Sequence, residues 1–205
     1  RLTCKQVTIC HGLDVVKPIG IYQRFILPKI FMNIDTIVTI SKAVKSACVT
    51  RGCPRKKAVI IPNGLSSSWI HYTVDRAQAK RDIIKEVPEL NQNSQWLLTV
   101  GRIIPRKGQF WFIQNVLPLL PDHFKYVLIG EGPDVHRIKK WLAKSHHSDK
   151  VVMLGAIQMA NPLLKKLYQT ADVFIMPNQP LKNDLEGFGV VMLEAGCMGT
   201  PVVGS

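Results

Sequence analysis

Two kinds of apolar run alternate along this chain. Short runs such as Leu97-Leu98-Thr99-Val100, Tyr126-Val127-Leu128-Ile129 and Val173-Phe174-Ile175-Met176 are almost continuously hydrophobic. That is how strands covered on both faces read, with no period-two alternation to a solvent side. The longer runs between them carry polar residues and read as helices. In the later part of the chain the pattern predicts strands over 96–100, 126–129, 151–154, 173–176 and 201–203, with helices over about 109–120, 135–143, 162–170 and 189–197. Earlier, strands are expected over 6–10, 35–40 and 58–61, the last stopped by Pro62-Asn63-Gly64. A helix-like stretch over 21–32 is interrupted by Pro28, and Ser41 reads as the N-cap of a helix through Val49. Strands alternating with helices imply parallel β–α units and an α/β fold.

Residues 65–93 break the alternation, turning polar and charged without a strand signal. The expected organisation is therefore two doubly wound parallel-sheet domains: 1–65 as the C-terminal part of a first domain, 66–93 as a linker with a surface helix near 74–85, and 94–205 as a second domain. Both are expected to be incomplete, because the chain opens on Arg1-Leu2-Thr3-Cys4-Lys5 and stops at Pro201-Val202-Val203-Gly204-Ser205, a strand just begun.

Composition narrows the class. With 46% hydrophobic residues and a mean hydropathy of +0.08, the 205-residue chain can build a proper core. The best candidates for a membrane-spanning run are broken by Lys29, Asn33 and Asp35 near the start and by Glu194 near the end. Five cysteines (Cys4, Cys10, Cys48, Cys53 and Cys197) form no Cys-x-x-Cys pair and stand beside no histidine at ligand spacing, which favours reduced cytosolic thiols and no protein-bound metal. The formal charge is +13, of which +9 falls in residues 1–57, where eleven Lys/Arg face only Asp14 and Asp35. An anionic lipid surface, a diphosphate-linked acceptor and nucleic acid are all compatible with that face, as is a merely solvated surface. Nucleic acid is the weakest of these, because the basic residues are not interleaved with aromatics.

In doubly wound sheets, ligands collect where strand C-termini meet helix N-termini. The chemically informative residues fall on those edges: Gly101-Arg102, Gly130-Glu131-Gly132-Pro133, Gly155, Pro177-Asn178 and the loop bearing Glu186. Five adjacent loops would then share one rim, as a nucleotide cleft between two domains requires. Arg102 and Lys107 offer a guanidinium and an ammonium beside helix N–H groups, the equipment for a diphosphate; a solvent-facing basic loop is the plainer reading of that pair. The glycines Gly101, Gly130 and Gly132 let backbone approach a ligand, or simply make tight turns. Glu186-Gly187-Phe188-Gly189 precedes an apolar helix in which Glu194 is an isolated carboxylate, costly to bury unless ligand hydroxyls or backbone donors satisfy it. His11 follows a strand and could stand on the rim of the first domain.

Across these stretches the chain resembles the retaining nucleotide-sugar glycosyltransferases of family 4, of the two-Rossmann-domain GT-B type (glycosyl transferases group 1). The matching motifs are Val59-Ile60-Ile61-Pro62-Asn63-Gly64, Leu98-Thr99-Val100-Gly101-Arg102 with Lys107-Gly108, Ile129-Gly130-Glu131-Gly132-Pro133, Leu167-Tyr168-Gln169-Thr170-Ala171-Asp172-Val173-Phe174, and Glu186-Gly187-Phe188-Gly189 through Glu194 with Gly199-Thr200-Pro201-Val202-Val203. Five ordered motifs across about 145 residues make a specific match. The resemblance implies that Arg102 and Lys107 hold the donor diphosphate and stabilise charge on it as it leaves. It implies that Glu186, with the N–H groups of Phe188 and Gly189, binds donor-sugar hydroxyls and diphosphate, that Glu194 takes the ribose hydroxyls, and that His11 stands near the anomeric carbon. The donor-binding set would be Gly101, Gly130, Gly132, Phe188, Gly189 and Glu194. No cofactor or metal is expected beyond the nucleotide-diphosphate sugar itself.

The resulting expectation is sugar transfer, with retention, to a glycan or lipid-linked acceptor, as in lipopolysaccharide or exopolysaccharide synthesis. It would take place in the cytoplasm, at the membrane surface, with residues 1–57 facing anionic lipid and no nucleic-acid partner; the isolated chain is not expected to act alone. A nucleotide-sugar epimerase or phosphorylase on the same scaffold, or a non-catalytic nucleotide- or glycan-binding module, is the alternative. Two departures stand out. Leu65-Ser66 replaces the Val-Asp common in the family after Asn-Gly, and residues 178–185 form a longer segment than in many members.

Overall fold

The computed structural model describes residues 4–16, 19–70, 72–181 and 184–205. Of the motifs above, only Arg1-Leu2-Thr3 at the opening and Lys182-Asn183 in the long 178–185 segment lie outside those residues. The chain forms two compact units, one of residues 1–64 with 180–190, the other of residues 65–179 with 191–205.

In the first unit, β1 (Val7–Cys10), α1 (Leu13–Val16), α2 (Leu27–Asn33), β2 (Thr36–Thr39), α3 (Lys42–Thr50) and β3 (Ala58–Ile60) follow in sequence. The strands form a parallel sheet in the order β1-β2-β3, with Val7 opposite Thr36 and Ile37 opposite Ala58. The expected helix over 21–32 is two pieces. Tyr22–Ile26 winds as a π-helical turn and passes into α2, where Pro28 sits in the first turn. Proline has no N–H to donate to the turn before it, and it follows directly on the wider π turn, whose bond runs from the Leu27 N–H to the Tyr22 carbonyl. Ser41 caps α3 as expected, its hydroxyl accepting from the Val44 N–H at 3.2 Å. The core is small, built from Ile37, Ile40, Val44, Phe31, Leu27 and the buried thiols Cys10, Cys48 and Cys53.

The second unit holds α4 (Ser67–Ile70), α5 (Arg76–Glu86), β4 (Gln95–Val100), α6 (Gln109–Asn115), β5 (Phe124–Ile129), α7 (Asp134–Leu142), β6 (Val151–Met153), α8 (Pro162–Thr170), β7 (Val173–Met176), α9 (Val190–Cys197) and β8 (Val202–Gly204). Its five strands are all parallel, in the order β6-β5-β4-β7-β8. Two apolar layers cover the sheet: one contains Leu98, Val127, Ile129, Tyr168 and Phe174, the other Leu97, Tyr126, Leu128, Ile138 and Ile175. Alternate residues of one strand thus serve opposite cores, which is why the strands read as unbroken hydrophobic runs.

Residues 66–93 are part of this unit rather than a separate connector. Helix α5 is capped by Asp75, which accepts from the Gln78 N–H at 2.9 Å, and buries Ala79 and Ile83 while packing against α8. Its polar composition hid a narrow apolar stripe. The expected helix over 109–120 ends as α6 at Asn115, and a 3₁₀ turn over Leu117–Leu119 carries Pro118, which cannot continue an α-helix.

Candidate functional site

The strand order of the second unit reverses direction between β4 and β7, so its switch point lies where the loops after those two strands begin. Gly101-Arg102 leaves β4 there. The Gln179 N–H donates to the Arg106 carbonyl at 2.7 Å, binding the loop after β7 to the loop that carries Arg102 and Lys107. The Gln109 side chain donates to the Arg102 carbonyl at 3.0 Å and holds the same loop from the α6 side. Arg102 is exposed and Lys107 half-buried, whereas Arg106 between them is buried. The two cations singled out from the sequence are thus the pair with access to solvent.

The loop glycines divide into two classes. Gly130 has φ 138°, and a Cβ on it would overlap the Gly101 carbonyl oxygen; Gly132 has φ 158°, and its Cβ would overlap the Ile103 carbonyl. The Gly130 N–H also donates to the Gly155 carbonyl at 2.7 Å. These two glycines are required by the protein's own backbone, where neighbouring loops press together at the sheet edge. Gly101, at φ 140°, differs: a Cβ there would meet open space. Loops after β4, β5, β6 and β7 therefore do share a rim. A cleft of about 290 Å³ opens on it, lined by Gly130, Glu131, Gly132, Val135, Lys139, Met153 and Gly155.

Glu194 lies on α9 and is only 5% exposed. The sequence reading asked for ligand hydroxyls or backbone donors to satisfy it; the structure supplies a side chain instead. The Tyr168 hydroxyl donates to Glu194 Oε2 at 2.6 Å. Burial pushes the Glu194 carboxyl above its usual range and the phenol holds it down, burial being the larger effect. Tyr168 is itself fully buried, edge-on to Trp69 at 5.3 Å and stacked on Phe174 at 5.7 Å, and its carbonyl accepts from the Thr200 hydroxyl. Burial first, and then the same carboxylate, drive the Tyr168 phenol far above the normal tyrosine range. Tyr168 escaped the list of site residues because it reads as one more core aromatic on an amphipathic helix. Its place 26 residues before Glu194 gave no warning of the pairing.

His11, Glu186, Phe188 and Gly189 belong to the first unit. The exposed His11 follows β1, and its carbonyl lies where a Cβ on Gly187 would fall, so the Glu186–Gly189 loop runs directly against the β1 end. Leu185 and Phe188 anchor that loop on the first unit's core, leaving Glu186 half-exposed and Gly189, at φ 68°, buried. Asp14, which sequence reasoning passed over, fixes the turn beside His11: its carboxylate accepts from the Gly12 N–H at 2.7 Å and the His11 N–H at 3.1 Å. An acid in the first turn of a helix that reaches back to the N–H groups ahead of it follows the logic of a capping box, and Asp14, four residues after the end of β1, could have been read that way. The structure thus gathers His11 with the Glu186 loop, and Arg102, Lys107 and the glycines with one another on the second unit's rim. Among the described residues no helix is long and apolar enough to cross a membrane.

Comparison with known proteins gives this rim a family. Residues 80–205 match the family model for glycosyl transferases group 1. The chain is 30% identical over 169 residues to the uncharacterized glycosyltransferase MJ1607 of Methanocaldococcus jannaschii, covering 82% of this chain and 41% of that protein. It is 26% identical over 211 residues to the amylovoran biosynthesis glycosyltransferase AmsK of Erwinia amylovora, covering 98% of this chain and 47% of the relative. Among solved structures, Anabaena Alr3699/HepE in complex with UDP superposes with a TM-score of 0.81 at 18% identity, covering 98% of this chain and 53% of that one. The chain spans about half the length of the curated relatives it matches. A matched model over most of the second unit, the parallel-sheet units and the switch-point loops agree in placing this chain in the glycosyl transferases group 1 family, with the α/β fold of its GT-B members.

Proposed function

We propose that the protein to which this chain belongs transfers a sugar from a nucleotide-diphosphate donor to a glycan or lipid-linked acceptor, keeping the donor's anomeric configuration. The observation that carries the reading is the second unit's rim: an accessible Arg102 and a half-buried Lys107 at the switch point, beside an open Gly101 and a cleft. Support for the donor class comes from HepE, solved with UDP.

In this reading Arg102 grips two diphosphate oxygens and Lys107 adds a mobile charge, both aimed at the negative charge that grows on the leaving group. The cleft at Gly130, Gly132 and Gly155 receives part of the nucleotide. Glu194, held by Tyr168, accepts from ribose hydroxyls through its remaining lone pairs. Glu186 and the N–H groups of Phe188 and Gly189 hold the sugar hydroxyls and the diphosphate, and His11 stands near the anomeric carbon. The acceptor hydroxyl attacks on the face from which the diphosphate departs, passing its proton to a diphosphate oxygen. The C–O bond to the diphosphate breaks as the new glycosidic bond forms. This scheme asks for no protein-bound metal, because the cationic pair carries the charge stabilisation. The excess of Lys/Arg in residues 1–57 supports action at the cytoplasmic membrane face in exopolysaccharide or lipopolysaccharide assembly.

The test uses the longer protein. A thermal-shift panel of UDP-, GDP- and ADP-sugars should raise the melting temperature for one base, and labelled sugar should move to acceptor in the wild type but not in Glu186→Ala. Unchanged transfer by that variant would remove the assignment.

A further inference from the structure

We propose that a second anion site, on the first unit, binds a phosphate ester. A cleft of about 380 Å³ is lined by Lys42, Lys45, Ser46, Val49 and Thr50 of α3, Arg55 in the turn after it, and Ile60 at the end of β3. Positions 42, 45, 46 and 49 follow the spacing that places residues on one helix face, while Val44 and Cys48 of the same helix point into the core. Arg55 closes the site from the following turn.

Three cations around one cavity repel each other unless something neutralises them. Protein carboxylates do not. The first unit has only four acids, Asp14, Asp35, Asp184 and Glu186. Asp14 is taken by the His11–Gly12 turn and Asp35 by the Gln6 N–H at 2.8 Å. Among the described residues no carboxylate is ion-paired with Lys42, Lys45 or Arg55. A tetrahedral dianion meets the donors present: a guanidinium for two of its oxygens, two ammonium groups for the others, and the Ser46 hydroxyl as a further donor, the Thr50 hydroxyl proton going to the Ser46 carbonyl at 2.9 Å. Val49 and Ile60 give the cleft an apolar wall, suited to the organic part of an ester rather than to bare phosphate. Among the described residues no aromatic lines the cleft to stack a base, so the chemistry is that of a phosphoester and not of a nucleic-acid strand. The site lies within the first unit and needs nothing of the donor reading.

A phospholipid headgroup and a soluble sugar phosphate share this chemistry, and the test separates them. Binding of inorganic phosphate and of glycerol 3-phosphate is measured by calorimetry. Sedimentation with phosphatidylcholine vesicles, with and without phosphatidylglycerol, gives the lipid arm. The pocket variant Lys42→Ala/Lys45→Ala/Arg55→Ala should weaken phosphate-ester binding at least about tenfold. The variant Lys5→Ala/Arg24→Ala/Lys29→Ala removes the same charge from exposed positions outside the pocket and should change it less than about threefold. Circular dichroism and melting of both variants confirm that they fold. Pocket-dependent binding to phosphatidylglycerol vesicles that glycerol 3-phosphate competes away supports the site and assigns it to lipid; pocket-dependent binding of the soluble esters alone supports it and assigns it to a soluble ligand. Equal losses in the two variants would show a diffuse basic surface and overturn the pocket, as would no binding in either arm, while leaving the donor reading intact.

Discussion

The two units answer the same α/β pattern in different ways. In the second, β4 and β5 each bury four consecutive residues, and apolar layers cover the sheet on both faces. In the first, β1 buries only Cys10 and β3 only Ala58, while Val7, Ile9, Val59 and Ile61 stand exposed together with Ile21, Phe25 and Met32 of the neighbouring helical segment. Their hydrophobic residues are equally suited to strands, so sequence pattern alone does not distinguish them. What differs is the cover each sheet receives within this chain. Stability should follow that cover, because burial of apolar area and not strand propensity supplies most of the free energy.

The largest expected contrast is between Leu98→Ala and Ile9→Ala. Leu98 is fully buried and its truncation should destabilise the second unit by about 3–4 kcal/mol in urea unfolding. Ile9 is 54% exposed, and its truncation should move stability by less than about 0.5 kcal/mol. Comparable effects would mean that the first unit has a buried sheet face in solution.

Next come the loop glycines of the second unit. Gly130→Ala must displace the Gly101 carbonyl as well as strain its own backbone, and should destabilise the unit by about 3 kcal/mol or more. Gly101→Ala meets only the strain at φ 140° and should lose about 1–2 kcal/mol. If the two variants melted alike, the close approach of neighbouring loops would not be what requires Gly130.

The Tyr168–Glu194 pair offers a subtler probe, read in pH. Because folding raises the Glu194 carboxyl above its usual 4.5, the folded state binds that proton more tightly than the unfolded chain. Glu194 therefore favours the fold most below its usual value, and this contribution is lost as pH rises through the raised one. Glu194→Gln should flatten that part of the profile of urea midpoint against pH. Tyr168→Phe removes the bond that partly offsets burial; it should steepen the profile and lower stability at neutral pH by about 1.5–3 kcal/mol. A profile identical in wild type and Glu194→Gln would contradict the assignment of the shift to this carboxyl.

Much of the fold was legible in sequence because buried parallel strands leave an unmistakable mark. The helix over 162–170 and the strand over 173–176 emerged with the bounds read from pattern, and Ser41 caps its helix as its position implied. The helix read near 74–85 is α5, and residues 66–93 read as a connector because it shows core-facing residues at only two positions, Ala79 and Ile83, amid charges, while the segment groups with the second unit. That Arg102 and the loop glycines stand on the rim could be read from their place at strand ends. The Tyr168 hydroxyl could not, since a hydrogen bond between two helices depends on packing that no local spacing encodes. Likewise, a glycine whose missing Cβ would meet open space and one that makes room for a neighbouring carbonyl are the same letter in sequence. Only the direction of the missing Cβ separates Gly101 from Gly130. The 180–190 stretch shows the same limit: it groups with the first unit through Leu185 and Phe188, although it sits in sequence between two elements of the second.

Transfer kinetics in the longer protein test the central claim most directly: that Arg102 and Lys107 stabilise a departing nucleotide diphosphate. With a labelled nucleotide-sugar series, Arg102→Ala and Lys107→Ala should each lower kcat by about 10²–10³-fold, while melting within a degree or two of the wild type. Variants that fold normally and transfer sugar at the wild-type rate would contradict the account.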